Sequence, residues 1–126
     1  MRIASKMPRK QRKAQANAPL HARHKMVSCH LERQLFNEYK TRSLPVRKGD
    51  TVKIMRGSEG IRGVEAKVSN VDLRDKKLTL DGVTIAKADG TQKARPIEPS
   101  NCLITKLDLS DPIRKEKLEK LKGGAK

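Results

Sequence analysis

Between Val46 and Leu107 the apolar residues come in short β-branched runs with a period of two, and that pattern leaves few folds open. The runs are TVKIM at 51–55, VEAKVSNVDL at 64–73, KLTL at 77–80, VTIAKA at 83–88 and CLITKL at 102–107. Val52 and Ile54 alternate with Thr51, Lys53 and Met55, and Leu78 and Leu80 alternate with Lys77, Thr79 and Asp81. Each run therefore buries one face and exposes the other. Five such strands predict a small β-barrel, giving a mostly β fold class. Asp81-Gly82 predicts a tight two-residue hairpin, Arg74-Asp75-Lys76 a charged turn, and Ala88-Asp89-Gly90 a glycine-bearing one. Pro96 and Pro99 lack backbone donors, so residues 95–99 cannot be an interior strand and are expected to connect over the barrel to the last strand.

Outside that block the chain cannot supply much core. Of its 126 residues 35% are hydrophobic and 2% aromatic, with Phe36 and Tyr39 the only aromatic rings. Residues 1–31 hold eight Lys and Arg and no Asp or Glu, and the first stretch has no sustained apolar period, so a basic arm over 1–19 is expected to be extended and disordered by itself. A solvated tail or a mitochondrial presequence shares that composition, but Pro8 and Pro19 oppose the long amphipathic helix a presequence forms. Over 20–45, Met26, Val27, Leu31, Leu35 and Tyr39 mark one helical stripe against the barrel. Val27 and Ser28-Cys29-His30 interrupt it, which predicts two short helical pieces, the second near 32–40, then a linker over 41–45 ended by Pro45. The barrel is assigned 46–109. In 110–126, Ser110 or Asp111 caps a helix with Pro112 in its first position and Gly123 as its stop. Its apolar stripe of Ile113, Leu118 and Leu121 is thin, so a mainly solvated helix is expected, with packing on RNA or a neighbouring protein as the alternative.

The charge balance narrows the partner. Thirty Lys and Arg against fourteen Asp and Glu give a formal net charge of +16, and self-repulsion on that scale calls for a polyanion. Nothing approaches a transmembrane segment or an insertion helix with bulky apolar residues, so nucleic acid is favoured over a membrane surface and no membrane insertion is expected. No nucleophile and base, carboxylate pair or metal cluster is recognisable, and Asp72, Asp75 and Asp81 fall at strand ends and turns where Asp is common. Neither an enzyme nor a cofactor is expected. Cys29 and Cys102 are far apart in sequence without a CxxC pair, and His21, His24 and His30 near Cys29 lack zinc-ligand spacing, so no metal is expected either.

The stretch richest in functional signals is VRKGDTVKIMRGSEGIRGVEAKV, residues 46–68. Gly49-Asp50 turns into a strand, Arg56-Gly57 ends it, and Arg62-Gly63 precedes the next. Glycine lets backbone N–H groups approach phosphate, and Lys and Arg neutralise it and release counterions, so such a loop reads backbone and shape. The same glycines also serve as hairpin residues and the same cations as a solvated strand face. With both rings assigned to a core helix, base stacking on aromatics is not expected and structured RNA fits better.

This stretch resembles a KOW motif, with Ala66 where a further glycine is usual and a loop, GSEGIRG, about two residues longer. The N-terminal SKMPRKQRKAQANAPLHARHKMVSCHLERQL and the C-terminal GTQKARPIEPSNCLITKLDLSDPIRKEKLEK extend the resemblance over nearly the whole chain, to the archaeal and eukaryotic branch of the universal large-subunit ribosomal protein twenty-four family. The resemblance implies a five-stranded SH3-like barrel on large-subunit ribosomal RNA (rRNA) near its 5′ end, an early role in assembly, and a place beside the polypeptide exit tunnel in the cytoplasmic ribosome. The implied partners are that RNA and neighbouring large-subunit proteins, with no homo-oligomer. Carried onto this sequence, Lys6, Arg9, Lys10, Arg12, Lys13, Arg23 and Lys25 thread along RNA from the arm, and Arg42, Arg47, Lys48, Lys53, Arg56 and Arg62 present charge from the barrel and its approach, with Gly49, Gly57 and Gly63 as motif glycines. The competing reading is a KOW-type transcription elongation or ribosome-maturation factor, but these usually carry another folded domain.

Overall fold

A computed structural model describes residues 4–124; Arg2 of the basic arm and the last two residues of the tail lie outside it. The chain runs α1 (Pro8–Ala16), α2 (Leu20–Met26), β1 (Ser28–Leu31), α3 (Arg33–Tyr39), β2 (Ser43–Pro45), β3 (Thr51–Ile54), β4 (Glu65–Asp72), β5 (Lys77–Ala86), β6 (Gln92–Ile97), a 3-10 turn at Pro99–Asn101, β7 (Cys102–Lys106) and α4 (Pro112–Gly124). No described helix is long and apolar enough to cross a membrane.

The strands form one open seven-stranded sheet in the order β2-β1-β7-β3-β4-β5-β6, parallel between β1 and β7 and antiparallel elsewhere. The inward residues of the period-two runs, Val52, Ile54, Leu78 and Leu80, are fully buried or nearly so. They meet Val27, Val46, Val68 and Ile104 in a single aliphatic cluster. Burying each large aliphatic side chain is worth about 1.5–3 kcal/mol, enough for a core without aromatic rings to hold the sheet.

Several expectations are corrected. The sheet has seven strands rather than five and is not closed. Residues 28–31, placed in an interrupted helix, form β1, and Ser43–Pro45, read as linker, forms β2 against it with Cys29 opposite Leu44. Lys77–Ala86 is one strand: Gly82, at φ +79°, lies inside it where the β5–β6 register shifts, so Asp81-Gly82 is an irregularity in the strand and not a hairpin. Residues 92–97 form β6 instead of a loose connection, with Pro96 opposite Thr79, tolerated because β6 is the outermost strand. Phe36 is half-exposed, whereas Tyr39 is buried, which pushes its phenol up from its ordinary pKa. The arm contains a helix, α1, with Pro8 at its start. Cys29 and Cys102, distant in sequence, are buried side by side on the paired strands β1 and β7; the adjacent thiol and then desolvation hold Cys29 well above the ordinary thiol range. Among the described residues no three metal-ligating side chains cluster.

Helix α4 is docked, not solvated. Leu118 is 3% exposed and Arg114 6%. The Arg114 guanidinium donates from Nη1 to Asp50 Oδ1 at 2.6 Å and from Nη2 to Asp50 Oδ2 at 2.7 Å. Asp50 has no exposed surface, and its carboxylate also accepts the backbone N–H of Arg47 and of Asp108 at 3.0 and 2.9 Å. The guanidinium reaches the carbonyls of Asp108 and Pro45 as well. Such a pair holds in the interior only when its other polar groups are engaged, and here each Asp50 oxygen accepts two bonds and each Arg114 Nη donates two. Asp111 caps the helix by accepting the Ile113 N–H at 3.1 Å and also takes a charge-assisted bond from Arg47. The Arg47 guanidinium, followed by the Ile113 amide, draws the Asp111 carboxyl below its ordinary pKa.

Candidate nucleic-acid interface

Three regions carry the cations singled out in the sequence. In the first, Arg9, Lys10, Arg12 and Lys13 lie on α1, with Lys6 just before it, and all five are exposed. The helix has no acidic residue in its first turn and buries none of its nine residues. Its attachment to the body is local: Arg23 of α2 donates to the Ala16 carbonyl, and the next buried residue is Ala18. Arg23 is thus engaged in holding the arm and is half-buried, so it offers less charge outward than its arm neighbours.

The second region is the loop between β3 and β4. Gly63 N–H closes it on the Ile54 carbonyl at 2.7 Å, and Ile61 and Arg62 both donate to the Ser58 carbonyl. Arg56 and Arg62 stand exposed on this one loop, and Gly57 and Gly63 lie at its two ends with positive φ. Lys53 points outward from β3, opposite Glu65 in the register. Glu65 in turn accepts the Thr105 hydroxyl at 2.7 Å.

The third region surrounds the turn into β3. Lys48 is exposed, Arg47 is half-buried against Asp111, exposed Lys25 of α2 lines one cavity with Arg47, and Arg42 is exposed just before β2. Gly49 has a structural duty here: its φ is +101°, and a Cβ built on it would stand 2.4 Å from Asp108 Oδ2. The Gly49 N–H bonds the Val68 carbonyl, and Val68 N–H returns to the Asp50 carbonyl, so the turn aligns Asp50 for Arg114. Gly49 therefore serves the buried ion pair in addition to any backbone approach.

The structure does not join all thirteen cations into one surface. Arg23 and Arg47 are engaged within the chain, whereas Lys6, the four α1 cations, Lys25, Arg42, Lys48, Lys53, Arg56 and Arg62 have no acidic partner within 4.0 Å among the described residues. Sequence reasoning missed the exposed Lys87 and Lys93 on the β5–β6 hairpin and Lys117 on α4. The hairpin cations stand in a fully exposed stretch with no inward alternation to mark them, and Lys117 takes its surroundings from the docking of α4.

Unpaired cations on exposed backbone suit contact with phosphate, which by itself carries no sequence information. A family described as the ribosomal proteins L26 of eukaryotes and L24 of archaea matches residues 5–121. A protein of Methanothrix thermoacetophila named large ribosomal subunit protein uL24 is 53% identical over 114 residues, covering 90% of this chain and 97% of that one. Proteins of the same name from Methanosarcina barkeri and Methanospirillum hungatei are 51% and 48% identical over 118 residues, each covering 94% of this chain and 100% and 97% of their own length. Matched from the arm to α4, the chain belongs to the family that comprises the eukaryotic ribosomal protein L26 and its archaeal counterpart L24.

Proposed function

We propose that this chain is a structural, non-catalytic constituent of the large subunit of the cytoplasmic ribosome, binding large-subunit rRNA near its 5′ end, assisting early assembly and lying near the polypeptide exit tunnel. The observation that carries RNA binding is α1: four cations, no acid and no buried residue on one helix, an element that the chain's own core does not hold. Such a segment gains its order from a polyanion, and its loss of entropy on binding is offset by counterion release. The near full-length relatives, each named as a large-subunit protein, support the ribosomal setting.

Within this reading β3 to β7, the five strands over 46–109, make an incompletely closed SH3-like barrel carrying a KOW motif. Support comes from β4 and β5, which both carry register shifts where a sheet bends, and from the inward residues of β3, β4, β5 and β7, which share one cluster. The arm over 1–19 grips RNA, with Lys6, Arg9, Lys10, Arg12 and Lys13 on phosphates. Lys25, Arg42, Lys48, Lys53, Arg56 and Arg62 contribute from the body. Neighbouring large-subunit proteins meet the remaining surface, and no second copy of the chain is required.

The test is salt-dependent binding to large-subunit RNA together with co-sedimentation of the native protein with that subunit. A steep fall of affinity with salt and recovery in the subunit peak are expected. Recovery mainly with RNA polymerase would overturn the reading in favour of a transcription factor.

A further inference from the structure

Between α2, β2 and α4 lies a cavity of about 320 Å³ that meets the third interface region at Lys25 and Arg47 and extends beyond it to α4. Its floor is apolar, from Leu118 and Leu121 of α4 with Leu44 of β2, and its rim carries His21, Lys25 and Lys117. Arg47 and His24 form the wall it shares with an adjoining cavity of about 370 Å³ beside Lys48. No acidic residue lines it. The volume falls at the lower end of the ~300–1,000 Å³ range of small-ligand sites, room for a single planar base and its sugar.

Resting on the RNA-binding reading above, we propose that this cavity receives one unstacked nucleotide of the bound RNA, its base between the imidazoles and the apolar floor and its phosphate against Lys117 and Lys25. Sequence-specific or shape-specific recognition of RNA commonly takes an extruded base onto an aromatic ring, an imidazole or a guanidinium plane. Phe36 and Tyr39 do not serve, since neither lines the cavity, but His21 and His24 are three residues apart on α2 and both line it. The Arg47 and Arg114 guanidinium groups are held in ion pairs with Asp111 and Asp50, which fixes the wall before RNA arrives. Lys25 and Lys117 make no ion pair among the described residues and are free for a phosphate. The field inside is positive: desolvation and then the charges of Arg47 and Arg114 hold the His24 imidazole below its ordinary pKa, the condition an entering phosphate relieves.

The test irradiates the full chain bound to large-subunit RNA with ultraviolet light, digests the RNA and reads nucleotide adducts on peptides by mass spectrometry. Two charge reversals on α4 are compared, Lys117→Glu at the rim and Lys115→Glu, exposed on the same helix but outside the cavity. An adduct within Leu20–Met26 or 117–121, kept in the Lys115 variant and lost in the Lys117 variant, is expected, with binding at least about fivefold weaker for the second, the effect of losing one stacked base. Equal melting temperatures for the two variants establish that neither has lost the fold. Adducts confined to other peptides, or equal weakening by the two reversals, overturn the cavity and leave the RNA reading standing. A wild-type chain that does not bind the RNA overturns both.

Discussion

Helices α1 and α4 are both basic, both begin with proline and both flank the sheet, yet they relate to it in opposite ways. Helix α4 sends Arg114 to a carboxylate inside the core and buries Leu118 beside it. Helix α1 is at least as densely charged, with four cations in nine residues, but has no acid within reach and no buried side chain. A basic helix is thus tied to the body or left with its charge facing outward according to whether the core offers it an anion. In this chain Asp50 makes the difference.

The comparison can be broken most directly at that pair. Replacing Arg114 by Met leaves the Asp50 carboxylate buried without its partner, and chemical denaturation is expected to show a loss of about 3–5 kcal/mol. A loss under about 1 kcal/mol would mean that α4 is held by Leu118 alone and that the two helices differ less than their geometry implies. Deleting residues 1–17 should leave stability within roughly 0.5 kcal/mol, since α1 buries nothing, while RNA binding weakens. The logarithmic salt slope should flatten by up to about four units, as six cations are removed and each phosphate contact contributes about 0.7. An unchanged slope would reduce the arm to a passive tail.

Smaller effects sharpen the picture. Gly49→Ala combines a left-handed backbone with a Cβ in the space of Asp108 Oδ2, and a loss of about 1–3 kcal/mol is expected in the same denaturation assay. Its effect should largely vanish in the Arg114→Met background if Gly49 acts through the alignment of Asp50. The smallest effect is that of His24. Its folded pKa is below the ordinary 6.5, so the stability linked to its neutral form is complete above pH 6.5 and is lost as pH falls from there through the folded value. Ring titration by NMR should place the free chain below 6.5 and the RNA-bound chain higher; a bound-state value no higher than the free one would separate His24 from the phosphate.

Sequence alone disclosed the elements whose chemistry is local. Val52, Ile54, Leu78 and Leu80 announced their strands by alternation, and Pro112 and Asp111 announced the start of α4. What stayed hidden depends on partners far along the chain. Strand β1 is four residues and takes its place from β7 some seventy residues on, and β2, of three, takes its place from β1, so nothing within SCHL or SLP marks them as strands. Pro96 argued correctly against an interior strand but could not reveal an edge. Asp50 read as half of a turn dipeptide, although its counter-ion is 64 residues away, and the cavity rim could not be seen until α4 was docked. The charge pattern of α1 was visible throughout; its helix was not read because no apolar period marks it, although Pro8 opens it and the Arg, Lys, Gln and Ala that follow are all strong helix formers.

The position of β7 between β1 and β3 also sets an order in time. During synthesis β1 and β2 emerge early and can pair only with each other, while β3 to β6 form a separate antiparallel meander. The two pieces join when residues 102–106 are available to bridge them, and Arg114 follows within a few residues to engage Asp50. A nascent chain is therefore left with two unfinished sheet edges until residues 102–114 have been made, and that stretch converts two loose halves into one cooperative unit.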